Sequence, residues 1–159
     1  MGAIVTNRIL SLRLQDEDAA RVFDNLVLMA SASSLQDFQA NVLPYMVECP
    51  ETKLYLLTLH DKAEVLESHV LGLVPAGSLL VWIDNFLSNV RSHAEFRAGR
   101  FTPLLQSIHR IDRCLWDRVF IKSFGVDSGD PEYPLMHGDF NDGPFWRESF
   151  WRPRTAPAN

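Results

Sequence analysis

Three short apolar runs constrain this chain more than any other feature: residues 23–30 (FDNLVLMA), 53–59 (KLYLLTL) and 118–124 (RVFIKSF). A strand with one wet face alternates apolar and polar residues. The first two runs do not, so both faces of each need cover, as in a parallel sheet, and the third is a further strand candidate. Stretches with helical spacing separate them. Ser34 is placed to cap a helix through Leu35, Phe38, Val42 and Tyr45, with Pro44 as its kink or end. A short helix is expected over 63–70. From Gly77-Ser78 onward, Leu79, Leu80, Ile83, Phe86 and Leu87 fall at helical spacing and mark an apolar face, which puts Asp84 on the polar side. A further helix is expected over 101–111, with Pro103 tolerated in its first turn. Ahead of the first run, Ile4, Ile9, Leu10 and Leu12 beside the small Gly2 and Ala3 read as a helix packed on a sheet. After the third comes a turn-rich stretch, then the loop of His137, then an aromatic helix with Phe145, Trp146, Phe150 and Trp151. The order predicts an α/β fold, a parallel sheet flanked by helices, over residues 1–151 with a loose tail at 152–159.

The composition of the 159 residues, 47% hydrophobic and 22% charged, is that of a globular domain. A net charge of −5 gives no general attraction to a phosphate backbone, so no nucleic-acid partner is expected. Arg97, Arg100, Arg110, Arg113 and Arg118 read as a solvated, mildly basic face. Cys49 and Cys114 lack CxxC spacing and sit among apolar neighbours, as buried free thiols do. No apolar run approaches the roughly 20 residues of a membrane span, and no secretory leader pattern opens the chain. A soluble, cytoplasmic protein is the expectation.

In open parallel sheets reactive groups gather beyond the carboxyl ends of the strands. Asp61 lies two residues past the second run, and His137 lies in the long loop after the third. An Asp that orients an imidazole and a His that takes a proton from a hydroxyl are two parts of a serine-hydrolase triad. Each has a plainer reading: Asp61 as the cap of the helix near Ala63, and His137 as a loop histidine bonded to a neighbour. The serines, among them Ser11, Ser31, Ser33, Ser34, Ser68 and Ser78, lack the glycine-flanked elbow that exposes a nucleophile. The doublet His60-Asp61 and the pair His137-x-Asp139 resemble metal ligands, but no second cluster completes a site. No glycine-rich phosphate loop is present. Neither a metal nor another cofactor is expected.

The opening Met1-Gly2-Ala3-Ile4-Val5 resembles the residues immediately after the serine of a G-x-S-x-G elbow. With it, the order of helices and strands resembles the second half of the α/β-hydrolase family over nearly the whole length. Phe124-Gly125 and His137-Gly138 suit that family. The resemblance implies a serine hydrolase acting on an ester, thioester or amide, with an apolar acyl or aryl group favoured. It assigns Asp61 as the acid and His137 as the base, puts the nucleophile just before Met1, and makes the Met1 backbone N–H an oxyanion-hole donor. It further implies that the partners are the N-terminal half of the domain, or self-association through an exposed sheet edge. Asp61 and His137 stand about 75 residues apart, longer than one helix and one strand require, so a cap-like helical insertion is expected at about 72–111. The alternative is a non-catalytic α/β binding module, or a remnant completed by another chain.

Overall fold

The computed structural model describes residues 2–15, 23–67, 77–125, 134–142, 144–145 and 147–152. The three runs form strands β1 (Asn25–Met29), β2 (Lys53–Leu59) and β3 (Val119–Phe124). They make one parallel sheet in the order β1-β2-β3, with Leu28 beside Leu56 and Leu56 beside Ile121. The central strand is buried from Leu54 to Leu59, which accounts for its lack of alternation.

The twofold period of a strand sends successive side chains to opposite layers. Leu26, Leu28, Leu54 and Leu56 enter one core with Leu10, Phe38, Met46 and Leu115. Tyr55, Leu57 and Leu59 enter the other with Leu80, Phe124, Phe140 and Trp151. Fully burying a leucine contributes about 1.5–3 kcal/mol, so these central positions supply much of what holds the layers together.

The helices depart from the expectations in ways that matter for the site. Helix α1 (Gly2–Arg13) is present, but it buries Asn7 and Leu10 and leaves Ile4, Ile9 and Leu12 largely exposed. Ala3, Asn7, Leu10 and Leu14 lie three or four residues apart and form its inner stripe, with the Asn7 amide donating to the Ala3 carbonyl at 2.9 Å. Ser34 caps α2 (Leu35–Asp37) as expected, in a capping box with Asp37. Pro44 does not end the helix. It is the second residue of α3 (Leu43–Glu48), directly after a π-helical stretch, Phe38–Val42, where the regular hydrogen-bond ladder is already altered.

Helix α4 (Asp61–Leu66) follows β2, and α5 (Leu79–Trp82) runs on into a second π-helical stretch, Ile83–Leu87. That stretch overturns much of the expected apolar face. In α5 Leu80 and Val81 are buried and Leu79 is half exposed; wider turns then change the phase of the helix, so Asp84 turns inward while Phe86 and Leu87 stand 59% and 71% exposed. Helix α6 (Phe101–Ser107) holds Pro103 in its first turn and continues as a 3₁₀ turn to Arg110. A 3₁₀ helix at His137–Asn141 and α7 (Glu148–Trp151) close the described chain. No described helix is long and apolar enough to cross a membrane. Cys114 is exposed and Cys49 half-buried, so neither is the buried thiol expected.

Candidate active site

The carboxyl ends of the strands are organised by a segment from the far side of the sequence. Strand β1 stops at Ala30, whose φ of 42° is uncommon for a residue with a side chain. Residues 31–34 then pair with residues 97–99: Gly99 N–H donates to the Ser31 carbonyl and Ala98 N–H to the Ser33 carbonyl, both at 2.8 Å. Arg100 bridges on to Leu59 at the end of β2. This strap carries Arg97 and Arg100 over the end of the sheet, where both meet Asp84. The Arg97 Nε and the Arg100 Nη1 each lie 3.2 Å from a carboxylate oxygen of Asp84, and the Arg97 backbone N–H also donates to it. Asp84 is therefore a buried anion neutralised by two cations, not a residue of a polar surface. Arg97 and Arg100 are likewise not a solvated face. Arg118 is structural too, donating to the carbonyls of Met46, Cys49 and Thr52.

Helix α4 and its C-cap residue supply three carboxylates. Its N-cap is His60, whose Nδ1 accepts from Lys62 N–H at 3.2 Å, so Asp61 is the first helical residue and not the cap. The Asp61 carboxylate accepts a hydrogen bond from the Thr102 hydroxyl, and its second oxygen, Oδ1, is buried with no donor on it. One turn on, Glu64 is fully buried and accepts from the Ser78 hydroxyl. Glu67, also buried, accepts from the backbone N–H of His137 at 3.1 Å. Two main-chain bonds of 2.8 Å, Ser78 N–H to the Glu64 carbonyl and Gly77 N–H to the Glu67 carbonyl, fasten the start of α5 to the same helix.

Burial pushes the Glu64 carboxyl up to about 7; the Ser78 hydrogen bond and the charge of Arg100 oppose that rise, while Glu67 and Asp61 add to it. Between pH 4.5 and about 7 the folded chain keeps a proton that the unfolded chain releases. The stabilisation is complete below 4.5 and is lost as pH rises through 7, by about 3 kcal/mol. Glu64→Gln, which cannot ionise, is expected to match the parent near pH 5 and to exceed it by about 2–3 kcal/mol near pH 8.5 in urea unfolding. Equal pH slopes in the two proteins would remove Glu64 from this role.

His137 opens the 3₁₀ helix beyond the loop after β3. Its ring lies 6.4 Å from that of Phe140, edge to face. The loop is shaped by Asp139, whose carboxylate accepts from Leu135 and Met136 N–H at 2.9 Å. His137 lines a cavity of about 510 Å³ that is also bounded by Gly2 and Ala3 at the start of α1, by Met29 and Ala32 around the end of β1, and by Asn141. The N-terminus of a helix directs backbone N–H groups outward, here with no acidic residue in its first turn.

Of the residues singled out from sequence, His137 stands at this cavity. Asp61 sits at the end of β2 but is not among the residues that line it. Met1 lies outside the described residues. Among the described residues no group of three or more His, Cys, Asp or Glu is spaced to hold a metal ion. Glu64 and Glu67 were missed because helical glutamates ordinarily face solvent; their spacing of three residues, which places both on one side of α4, was the available signal. No family model matches the chain, and neither do curated proteins or solved structures.

Proposed function

We propose that the chain is the C-terminal portion of a serine hydrolase, acting on an ester, thioester or amide through an acyl-serine intermediate. The observation that carries this reading is the shared cavity, in which His137 stands with the N-terminal residues of α1 although some 135 positions separate them in sequence. A nucleophile placed immediately ahead of α1 would stand next in sequence to Gly2 and Ala3, which line the cavity with His137. His137 would take the serine proton and return it to the leaving group. Backbone N–H groups at the head of α1 would face the oxyanion, the role that the family resemblance gives to Met1. The acid role falls to a carboxylate of α4, with Asp61 in the position that the family resemblance assigns. The apolar acyl or aryl group that the family resemblance favours would meet Val27, Met29 and Phe140 among the residues that line the cavity.

The engagement of Asp61 with Thr102 favours a second reading, a non-catalytic α/β binding module that uses the same cavity. A fluorophosphonate probe separates the two. Expressed in a longer reading frame that carries the preceding coding sequence, the protein is expected to be labelled on a serine just ahead of α1. His137→Ala should slow that labelling by about 10³-fold or more. Residues 1–159 alone should take up no label. Labelling of a serine within 1–159 would overturn the placement of the nucleophile, and silence in the longer protein would leave the binding module.

A further inference from the structure

We infer that Glu67 is the positioning residue for His137. The inference rests on the hydrolase reading only for the name of the role; the contact itself is independent of it.

Three observations carry the assignment. Glu67 reaches the His137 loop directly, its Oε2 accepting the His137 backbone N–H at 3.1 Å across 70 residues of sequence. Asp61 is bonded through one carboxylate oxygen to Thr102, just beyond the strap, and its other oxygen receives no donor, so it makes no bond to His137. Glu67 is also held in place. It sits at the C-terminal boundary of α4, with its N–H bonded to the Ala63 carbonyl and its carbonyl receiving Gly77 N–H, and it is 6% exposed. A buried carboxylate fixed at both ends of its own backbone sets the position of whatever it binds. Here that is the first residue of the 3₁₀ helix that presents the imidazole to the cavity.

The charge of Glu67 acts with others nearby. Glu64 and Asp61 lie on the same helix, Arg100 approaches Glu64 from the strap, and Asp139 folds back within the loop of His137. Among the carboxylates of α4 it is Glu67 that bonds to His137. Removing its charge should therefore act on the imidazole more than removing that of Asp61.

The test is nuclear magnetic resonance of residues 1–159, following the backbone amide and the ring of His137 through a pH titration. In Glu67→Gln the amide resonance is expected to shift and the ring midpoint to fall by about one pH unit, the direction expected when a nearby carboxylate charge is lost. Glu67→Asp, which keeps the charge on a shorter arm, should move the amide and leave the midpoint close to that of the parent. It also serves where the Gln variant does not fold. Asp61→Asn should change both signals less than Glu67→Gln does. A midpoint that moves in Asp61→Asn but not in Glu67→Gln would transfer the role to Asp61, and a midpoint indifferent to Glu67 would overturn the assignment. Either result would leave the hydrolase reading to the fluorophosphonate experiment, whose outcome does not depend on Glu67.

Discussion

Asp84→Ala is expected to destabilise the fold by about 3–5 kcal/mol, the cost of removing one partner from a buried ion pair. The carboxylate is sealed from solvent and receives Arg97 Nε, Arg100 Nη1 and the Arg97 backbone N–H. Without it, two guanidinium groups that are each less than one-fifth exposed face one another with no anion between them. Asp84→Asn keeps the shape and one good acceptor, and should fall between the alanine variant and the parent. Urea unfolding followed by circular dichroism would measure both. A loss below about 1 kcal/mol for the alanine variant would mean that the pair contributes no more than a surface salt bridge.

Gly99→Ala should cost about 3 kcal/mol or more, at or beyond the upper end of ordinary overpacking. A Cβ at this position would lie 2.2 Å from Ser31 N and 2.4 Å from the Ala30 carbonyl carbon. These are main-chain atoms at a strand end already held at positive φ, so no side chain can swing aside to make room. The strap would have to lift from the sheet. For a chain of this size the melting temperature should drop by roughly 6–12 °C. Because the strap brings Arg97 and Arg100 to Asp84, the two substitutions should also fall short of additivity when combined. A Gly99→Ala protein that melts with its parent would show that residues 97–100 are not clamped against the end of β1.

The sheet was legible in the sequence because its strands are short apolar runs, the central one buried from Leu54 to Leu59 while β1 and β3 are less fully covered, and an unbroken apolar run has few other readings. Ser34 and Pro103 were legible for a similar reason, since capping and first-turn proline are governed by the nearest few residues. What could not be read was phase. The periodicity around Leu79 to Leu87 assumes one constant turn, and the π-helical stretch at Ile83–Leu87 changes it, so Phe86 and Leu87 face outward and Asp84 inward. The partners of Asp84 also lie 13 and 16 residues away, joined to it through a strap whose course depends on Gly99 lying against Ser31. His137 was singled out through its place after the third strand, and it lines the cavity. Glu67 was not, because its link to that residue spans 70 positions and involves a backbone N–H, which carries no side-chain signature.

Helix α4 is only six residues long, too short to persist by itself in water. Yet Gly77, Ser78 and His137 are all fastened to its Glu64 and to Glu67 at its end. Two loops distant from each other in sequence thus have a common point of release. Fraying of the last turn of α4 would be expected to release the head of α5 and the histidine loop together, with the six-residue register between β2 and β3 still paired beneath them, so amide exchange in the two segments should rise in step.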